Sequence, residues 1–347
     1  MTQSCLLEHE ATTASAETPP KDPFAPGADG IGETETLAPG VYFLKGATRY
    51  FREGAVSGPA GAIRSLMCNN GWVDLGDEVL LIDANMPGRA DALLAEVRRT
   101  TDKPIRYLVN THHHGDHIYG NRPIHERTGA MIISCTEMVD ELRRYETGAF
   151  GGPPGRWEQV AKLRPDVAAT PIMAPQVTYD RRLVLQGSAR TVELLHLTWG
   201  HTRGDTAVWL PEERILFTGD LVANGAFNIV RDGEMERWPE FLSLLEGLRP
   251  RIVCPGHGGW GDAELLSRQR TFFTALWAQV DSRAKAGADL PHILSRLEEL
   301  RAALLADPSA ALHVIPREAD LPVLSLAAQV ERVFGQLQSS DSTPPTS

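Results

Sequence analysis

The sequence predicts an α/β protein, a four-layer αββα sandwich of two β-sheets with helices on the outer faces, followed by a C-terminal helical extension. Three observations carry this reading. Short apolar runs bounded by Gly, Asn and Asp fall into two groups along the chain. Each group is followed by segments whose apolar residues recur at helical spacing. A sheet buried on one face by a second sheet needs helices on the other, and 347 residues with 42% hydrophobic content suffice to build such a core.

Residues 1–36 are rich in Thr, Ala, Glu, Pro and Gly without periodicity, so they are expected to be flexible, as is the tail over 339–347. Strands are expected over 41–44, 62–68 and 78–82, with Asn69-Asn70-Gly71 and Leu75-Gly76-Asp77 as turns, an antiparallel opening. A helix over 89–99 places Leu93, Leu94 and Val97 on one face, and 105–109 reads as a buried strand. Next come a helix over 116–127 interrupted by Pro123, a strand over 131–134 and a helix over 136–145. A Gly/Pro-rich loop over 147–154 leads through less regular sequence to strands over 182–185, 192–197, 207–210 and 215–218. A helix over 238–248, a strand over 252–254 and a long amphipathic helix over 264–286 complete the second half, and helices over 291–305 and 321–337 extend beyond it. The units expected are thus 1–36, a core over 37–262, an extension over 263–338 and the tail. The extension is expected to pack on the core; a homo-oligomer surface or a cover for a site are the other roles the sequence leaves open to it.

The balance of 34 Lys+Arg against 45 Asp+Glu gives a net charge of −11, which argues against a protein that grips nucleic acid through a broad basic face. No run of 18 apolar residues is present, and the first twenty residues lack a basic n-region and a long apolar h-region, so the expectation is a cytoplasmic protein without a membrane span. Cys5, Cys68, Cys135 and Cys254 show no framework spacing and read as small apolar packing residues.

The most informative stretch is Leu108-Val-Asn-Thr-His-His-His-Gly-Asp-His117, an apolar strand that empties into a cluster of ligand-type side chains. Read as His112-x-His114-x-Asp116-His117, it offers four candidate metal ligands within six residues. Alternate side chains at a strand end, His112 and His114, aim at one place, while Asp116 and His117 begin the next element and aim at a neighbouring one. Two adjacent metal positions are the economical interpretation. One turn cannot complete two such sites, and further candidates stand downstream at expected strand ends: His201 in Gly-His-Thr, Asp220 in Thr-Gly-Asp and His257 in Pro-Gly-His-Gly.

These motifs in this order resemble the metallo-β-lactamase superfamily, over roughly residues 40–262. The resemblance implies a catalytic domain over 37–262 in which His112, His114 and His201 hold one metal, Asp116, His117 and His257 hold a second, and Asp220 bridges them. It further implies a hydrolase with two zinc ions, iron or manganese being the alternatives, and a bridging hydroxide that attacks a small amide, ester, lactone or thioester, β-lactams included. Asp116 is the expected catalytic residue, orienting the nucleophile and moving its proton.

Two other functions fit the same fold. An iron-dependent, dioxygenase-like oxidoreductase is disfavoured in its di-iron form by His114 where such relatives carry Glu. A phosphodiesterase or nuclease is disfavoured by the acidic balance and the lack of an evident basic insert. A small-molecule substrate is therefore the expected partner. Tyr119, Asn121, Trp157 and Asn224 are candidate substrate contacts by position, against plainer packing or capping roles. Phe150 in the loop before Trp157 is a candidate apolar cover. His113 reads as a packing residue or one that supports a ligand from behind, His196 as a core histidine, and Asp205 as a residue that either orients His201 or caps its turn.

Overall fold

A computed structural model describes residues 31–46, 67–147, 155–315 and 324–340. The first half of the chain forms a seven-stranded sheet in sequence order: β1 (Ile31–Ala38), β2 (Val41–Gly46), β3 (Asn70–Asp74), β4 (Val79–Ile82), β5 (Ile105–Val109), β6 (Met131–Cys135) and β7 (Val177–Tyr179). Pairing is antiparallel from β1 to β4 and parallel from β4 to β7. The second half forms a five-stranded sheet, β12-β11-β10-β9-β8, from β8 (Arg182–Gln186), β9 (Thr191–Leu195), β10 (Ala207–Leu210), β11 (Ile215–Ala223) and β12 (Ile252–His257). Only β11 and β12 pair in parallel there.

Strand alternation sorts the side chains into layers. Leu80, Ile82, Val109 and Ile133 face the inner layer of the other sheet, where Leu194, Val208, Leu210 and Phe217 complete one buried cluster between the sheets. Their neighbours Val79, Leu81, Leu108 and Ile132 point the other way and pack under Leu93 and Val97 of the Ala90–Thr100 helix. On the far side, Ala207, Trp209 and Leu216 meet Phe241 and Leu245 of the Trp238–Gly247 helix and Phe272 and Phe273 of the Glu264–Lys285 helix. The αββα sandwich is therefore present, with strands apolar on both faces because both are covered.

Several boundaries differ from expectation. Residues 31–36 belong to β1, which pairs with β2, so the flexible segment expected over 1–36 does not extend that far. Asn70-Gly71 is the start of β3 instead of a turn, because Gly71 passes so close to the other sheet that a Cβ there would lie 2.3 Å from Phe217 Cε1. Met67 and Cys68 are not in a strand, and the rest of the strand expected over 62–68 lies outside the described residues. The helix expected over 116–127 is two, Gly115–Ile118 and Asn121–Thr128. The break falls at Gly120, where a Cβ would meet Ala84 O at 2.2 Å, and Pro123 is accommodated in the first turn of the second helix. The Thr136–Glu141 helix continues as a wider turn through Leu142–Glu146. Short helices at Arg156–Ala161 and Pro165–Ala168, with β7, occupy the stretch that reads as irregular.

The helix expected over 291–305 is divided at Arg296 into Leu290–Ser295 and Leu297–Leu305, and the last helix is Leu326–Ser340, which carries the chain into the tail expected to be flexible. Leu326, Val330 and Val333 pack into the cluster around Phe272 and Phe273. Arg332 Nε and Gln336 Nε2 donate to Gly233 O, Gln336 Oε1 accepts from Met235 N, and Asn228 Nδ2 donates to His313 O. The C-terminal segment thus holds the loop over 224–235 from outside. Among the described residues no helix is long and apolar enough to cross a membrane.

Candidate metal centre

The C-terminal ends of β4, β5, β11 and β12 meet at one edge of the sandwich, and the side chains beyond them converge. β5 delivers His112 and His114, the short Gly115–Ile118 helix delivers Asp116 and His117, the turn after β9 delivers His201, and β12 ends on His257. Asp220 lies inside β11, not after it: Gly219, at φ 51°, shifts the register with β12 and turns the carboxylate inward. Gly256 on β12 makes room for it, since a Cβ there would lie 1.9 Å from Asp220 Oδ1.

Two groups result. Ligand atoms of His112, His114, His201 and Asp220 lie within 4.8 Å of one another, and so do those of Asp116, His117 and His257. Asp220 stands between them. Its Oδ2 is 3.9 Å from His112 Nε2, 3.7 Å from His201 Nε2 and 3.4 Å from His257 Nε2, and its Oδ1 is 3.2 Å from His117 Nε2. Asp116 Oδ2 is 3.3 Å from His257 Nε2 and 3.6 Å from His117 Nε2. All seven side chains are buried, yet His112 Nε2, His117 Nε2, His257 Nε2, Asp116 Oδ2 and Asp220 Oδ1 complete no hydrogen bond among the described residues. Buried polar atoms are rarely left so, and a convergent set of imidazole nitrogens and carboxylate oxygens is the donor set of first-row divalent cations.

The electrostatics agree. Burial pushes His201 down to about 3 and holds His112 well below the usual histidine range, so both rings present neutral nitrogens. Against burial, His257 and His117 hold the Asp220 carboxyl well below the usual carboxylate range. Against burial likewise, Asp220 and Asp116 raise His257 to about 9, a proton that a cation would replace.

Two residues that sequence reading missed fix the rings. Asp83, after β4 with φ 60°, accepts from His117 Nδ1 (2.7 Å), Thr111 N (2.7 Å) and Thr111 Oγ1 (2.8 Å). Asp232 accepts from His114 Nε2 (2.8 Å) and is held bidentate by Arg156 Nη1 and Nη2, both at 2.7 Å. With those protons committed, His117 turns Nε2 and His114 turns Nδ1 into the centre, the latter 3.0 Å from His201 Nε2. Asn69 joins the sheets beside His257: its Nδ2 donates to Pro255 O (2.7 Å) and Gly258 O (2.8 Å). The available sequence signals were an acidic residue directly after an apolar strand for Asp83, and none for Asp232.

The remaining sequence candidates have other partners. Tyr119 is buried and donates to Glu146 Oε2, whose carboxyl burial pushes up to about 7. Asn121 exchanges amide hydrogen bonds with Asn110 (2.8 and 2.9 Å). Trp157 donates to Thr170 O (3.1 Å), and Asn224 donates to Gly259 O (2.8 Å) and so shapes the turn after His257. None of the four side chains hydrogen-bonds to the seven converging side chains, though Asn224 N donates to His257 O (2.9 Å). Phe150 and most of the loop over 147–154 lie outside the described residues. His113 stacks on Tyr145 at 5.6 Å, and its Nε2 lies 3.4 Å from Nη1 of Arg156, the guanidinium that holds Asp232. Asp205 caps the turn by accepting from Thr202 N and Oγ1, both at 2.8 Å, and makes no bond to His201.

This fold and this convergence of His and Asp at strand ends define a class. The metallo-beta-lactamase superfamily model matches residues 63–257, more than half of the chain, and the chain belongs to that superfamily. A metallo-beta-lactamase type 2 of Bacteroides fragilis is 31% identical over 101 residues, 28% of this chain and 41% of that protein. A hydroxyacylglutathione hydrolase of Rhodospirillum rubrum is 28% identical over 172 residues, 49% of this chain and 55% of that protein. The chain thus spans about half the length of these curated relatives. A solved metallo-beta-lactamase from Pontibacter korlensis shares the fold at TM-score 0.53 and 20% identity, over 70% of this chain and 99% of that one.

Proposed function

We propose that the protein is a metal-dependent hydrolase of a small amide, ester, lactone or thioester, with a dinuclear centre that takes zinc. The observation that carries this is Asp220, set between two buried groups in which His112 Nε2, His117 Nε2, His257 Nε2 and Asp116 Oδ2 lack hydrogen-bond partners among the described residues. In this reading His112, His114 and His201 would hold one cation and Asp116, His117 and His257 the other, with the Asp220 carboxylate available to each group. Cations bound there supply a water of lowered pKa and polarise the scissile carbonyl.

The chain's own groups do the rest. Asp116 orients the attacking water and takes up its proton at a carboxylate oxygen, then returns it toward the leaving group. Asp83 and Asp232 hold the His117 and His114 rings in one tautomer, so the geometry is set before substrate arrives. Phe227, its ring 4.1 Å from that of His257, supplies an apolar wall and is itself backed by Ile315 and Leu324, which gives the C-terminal extension a supporting role. No serine or cysteine nucleophile is required, and Cys68 and Cys254 are kept as thiols by burial, Cys68 at about 12. The similarity to a β-lactamase and to a hydroxyacylglutathione hydrolase supports an acyl substrate with a nitrogen or sulfur leaving group, and divides between the two.

The test is initial rates for a chromogenic β-lactam, a lactone and a thioester on one zinc-loaded preparation, with and without a chelator. Turnover of at least one substrate that falls by about 100-fold or more with chelator and returns with zinc is the expected result. No turnover of any of the three on fully loaded protein would overturn the acyl reading.

A further inference from the structure

Beyond the converging groups around Asp220, a second set of ligand-type side chains gathers along the same edge of the sandwich. Cys135 ends β6, Glu137 stands in the first turn of the Thr136–Glu141 helix, and His196 comes directly after the end of β9 in the other sheet. One ligand atom from each lies within 4.8 Å of the others. We propose that Cys135, Glu137 and His196 form a separate mononuclear site for a thiophilic divalent cation of the zinc class, completed by water.

Three features point to a cation and not to packing. His196 is buried, and its Nδ1 donates to Asp205 O at 2.8 Å, which turns Nε2 toward Glu137. A ring nitrogen fixed by a backbone carbonyl on its far side is the arrangement that orients metal-binding histidines. That Nε2 completes no hydrogen bond among the described residues; Glu137 Oε2 stands 3.6 Å away, and is itself a buried oxygen without a hydrogen-bond partner. An imidazole nitrogen and a carboxylate oxygen, neither with a hydrogen-bond partner among the described residues, thus face one point with a sulfur beside it.

Sulfur, nitrogen and oxygen from three residues plus water is a tetrahedral set suited to zinc and, by softness, to cadmium and cobalt. The Glu137 side chain is 42% exposed, so the site opens to solvent through it. Burial pushes the Cys135 thiol up to about 12, so the sulfur holds its proton until a cation arrives. On binding, the S–H bond breaks, its electron pair becomes the sulfur–metal bond and the proton leaves to solvent, with no change of oxidation state. Asp205 ties this site to the main one, since its backbone carbonyl holds His196 while its carboxylate holds Thr202, the residue after His201.

The experiment is cobalt titration of the full chain, with bound metal counted and the near-ultraviolet spectrum recorded. Thiolate-to-cobalt charge transfer reports sulfur ligation, which the His and Asp groups around Asp220 cannot produce. The wild type is expected to show this band with a third equivalent. Cys135→Ser and His196→Gln should each lose the band, and Glu137→Gln, which keeps the size of a half-buried side chain, should weaken the site's cobalt affinity by about tenfold or more while the fold is untouched. Cys68→Ser, beside His117, should retain it. A wild type without the band, a band that survives Cys135→Ser, or one lost in Cys68→Ser would overturn the proposal. A band that appears when the other two equivalents do not bind would still support it, so its outcome is independent of the dinuclear reading.

Discussion

Asp220→Asn is expected to lower kcat/KM by about 10³-fold or more, equivalent to about 4 kcal/mol of transition-state stabilisation, and to reduce bound metal around it from two equivalents to one or none. The cause is electrostatic and geometric. The carboxylate oxygens lie 3.2 to 3.9 Å from four imidazole nitrogens drawn from both groups. Asn matches the volume that Gly256 leaves open but removes the charge and replaces one oxygen by a donor, which cannot face a cation. A purely structural role would leave the fold weakened and the metal count unchanged. Metal counting beside initial rates separates the two, and two equivalents with full turnover in Asp220→Asn would contradict the bridging assignment.

The second large effect is expected at a residue that touches no cation. Asp83→Asn should weaken binding in the group that contains His117 by about 10- to 100-fold and destabilise the protein by about 1–3 kcal/mol. Asn tolerates the left-handed φ of 60° that Asp83 adopts, so backbone strain does not enter. What changes is the hydrogen-bond pattern. The Asp83 carboxylate accepts three bonds, from Thr111 N, Thr111 Oγ1 and His117 Nδ1. An amide offers one oxygen and places an NH2 against a donor. If that donor is His117 Nδ1, the ring must shift its proton to Nε2, the nitrogen that faces Asp220. Competition titration against a chromophoric chelator reads the effect, with one equivalent weakened and the other kept. Identical titrations for Asp83→Asn and wild type would show that His117 needs no such support.

The difference between these two residues marks what the sequence could reveal. The ligand candidates are legible because strand geometry concentrates them: a short apolar strand must end, and the chain leaving it carries His112 through His117 in one turn. Asp83 stands 29 residues before His112 and becomes its neighbour only because β4 and β5 pair in parallel, so their ends coincide. Asp232 lies in a loop without periodicity, and nothing local announces that it meets His114 or Arg156. The same logic governs the fold. Interior strands buried on both faces read as apolar runs, whereas β1, at the sheet edge with Thr34, Glu35 and Thr36, carries the composition of a mobile segment. Asn70-Gly71 has the strongest short-range turn signal, and it is overruled by the approach of Phe217 from the other sheet, a contact between residues 146 positions apart. Tyr119 and Asn121 come just after the cluster in sequence, but helix geometry turns them to Glu146 and Asn110.

Anomalous diffraction from crystals grown with zinc reads out whether two cations are held on either side of Asp220. Two peaks are expected there, one within bonding distance of His112 Nε2, His114 Nδ1 and His201 Nε2, the other of Asp116, His117 Nε2 and His257 Nε2, with Asp220 between them. A single peak, or none at this edge of the sandwich while zinc is found elsewhere on the chain, would contradict a two-cation centre.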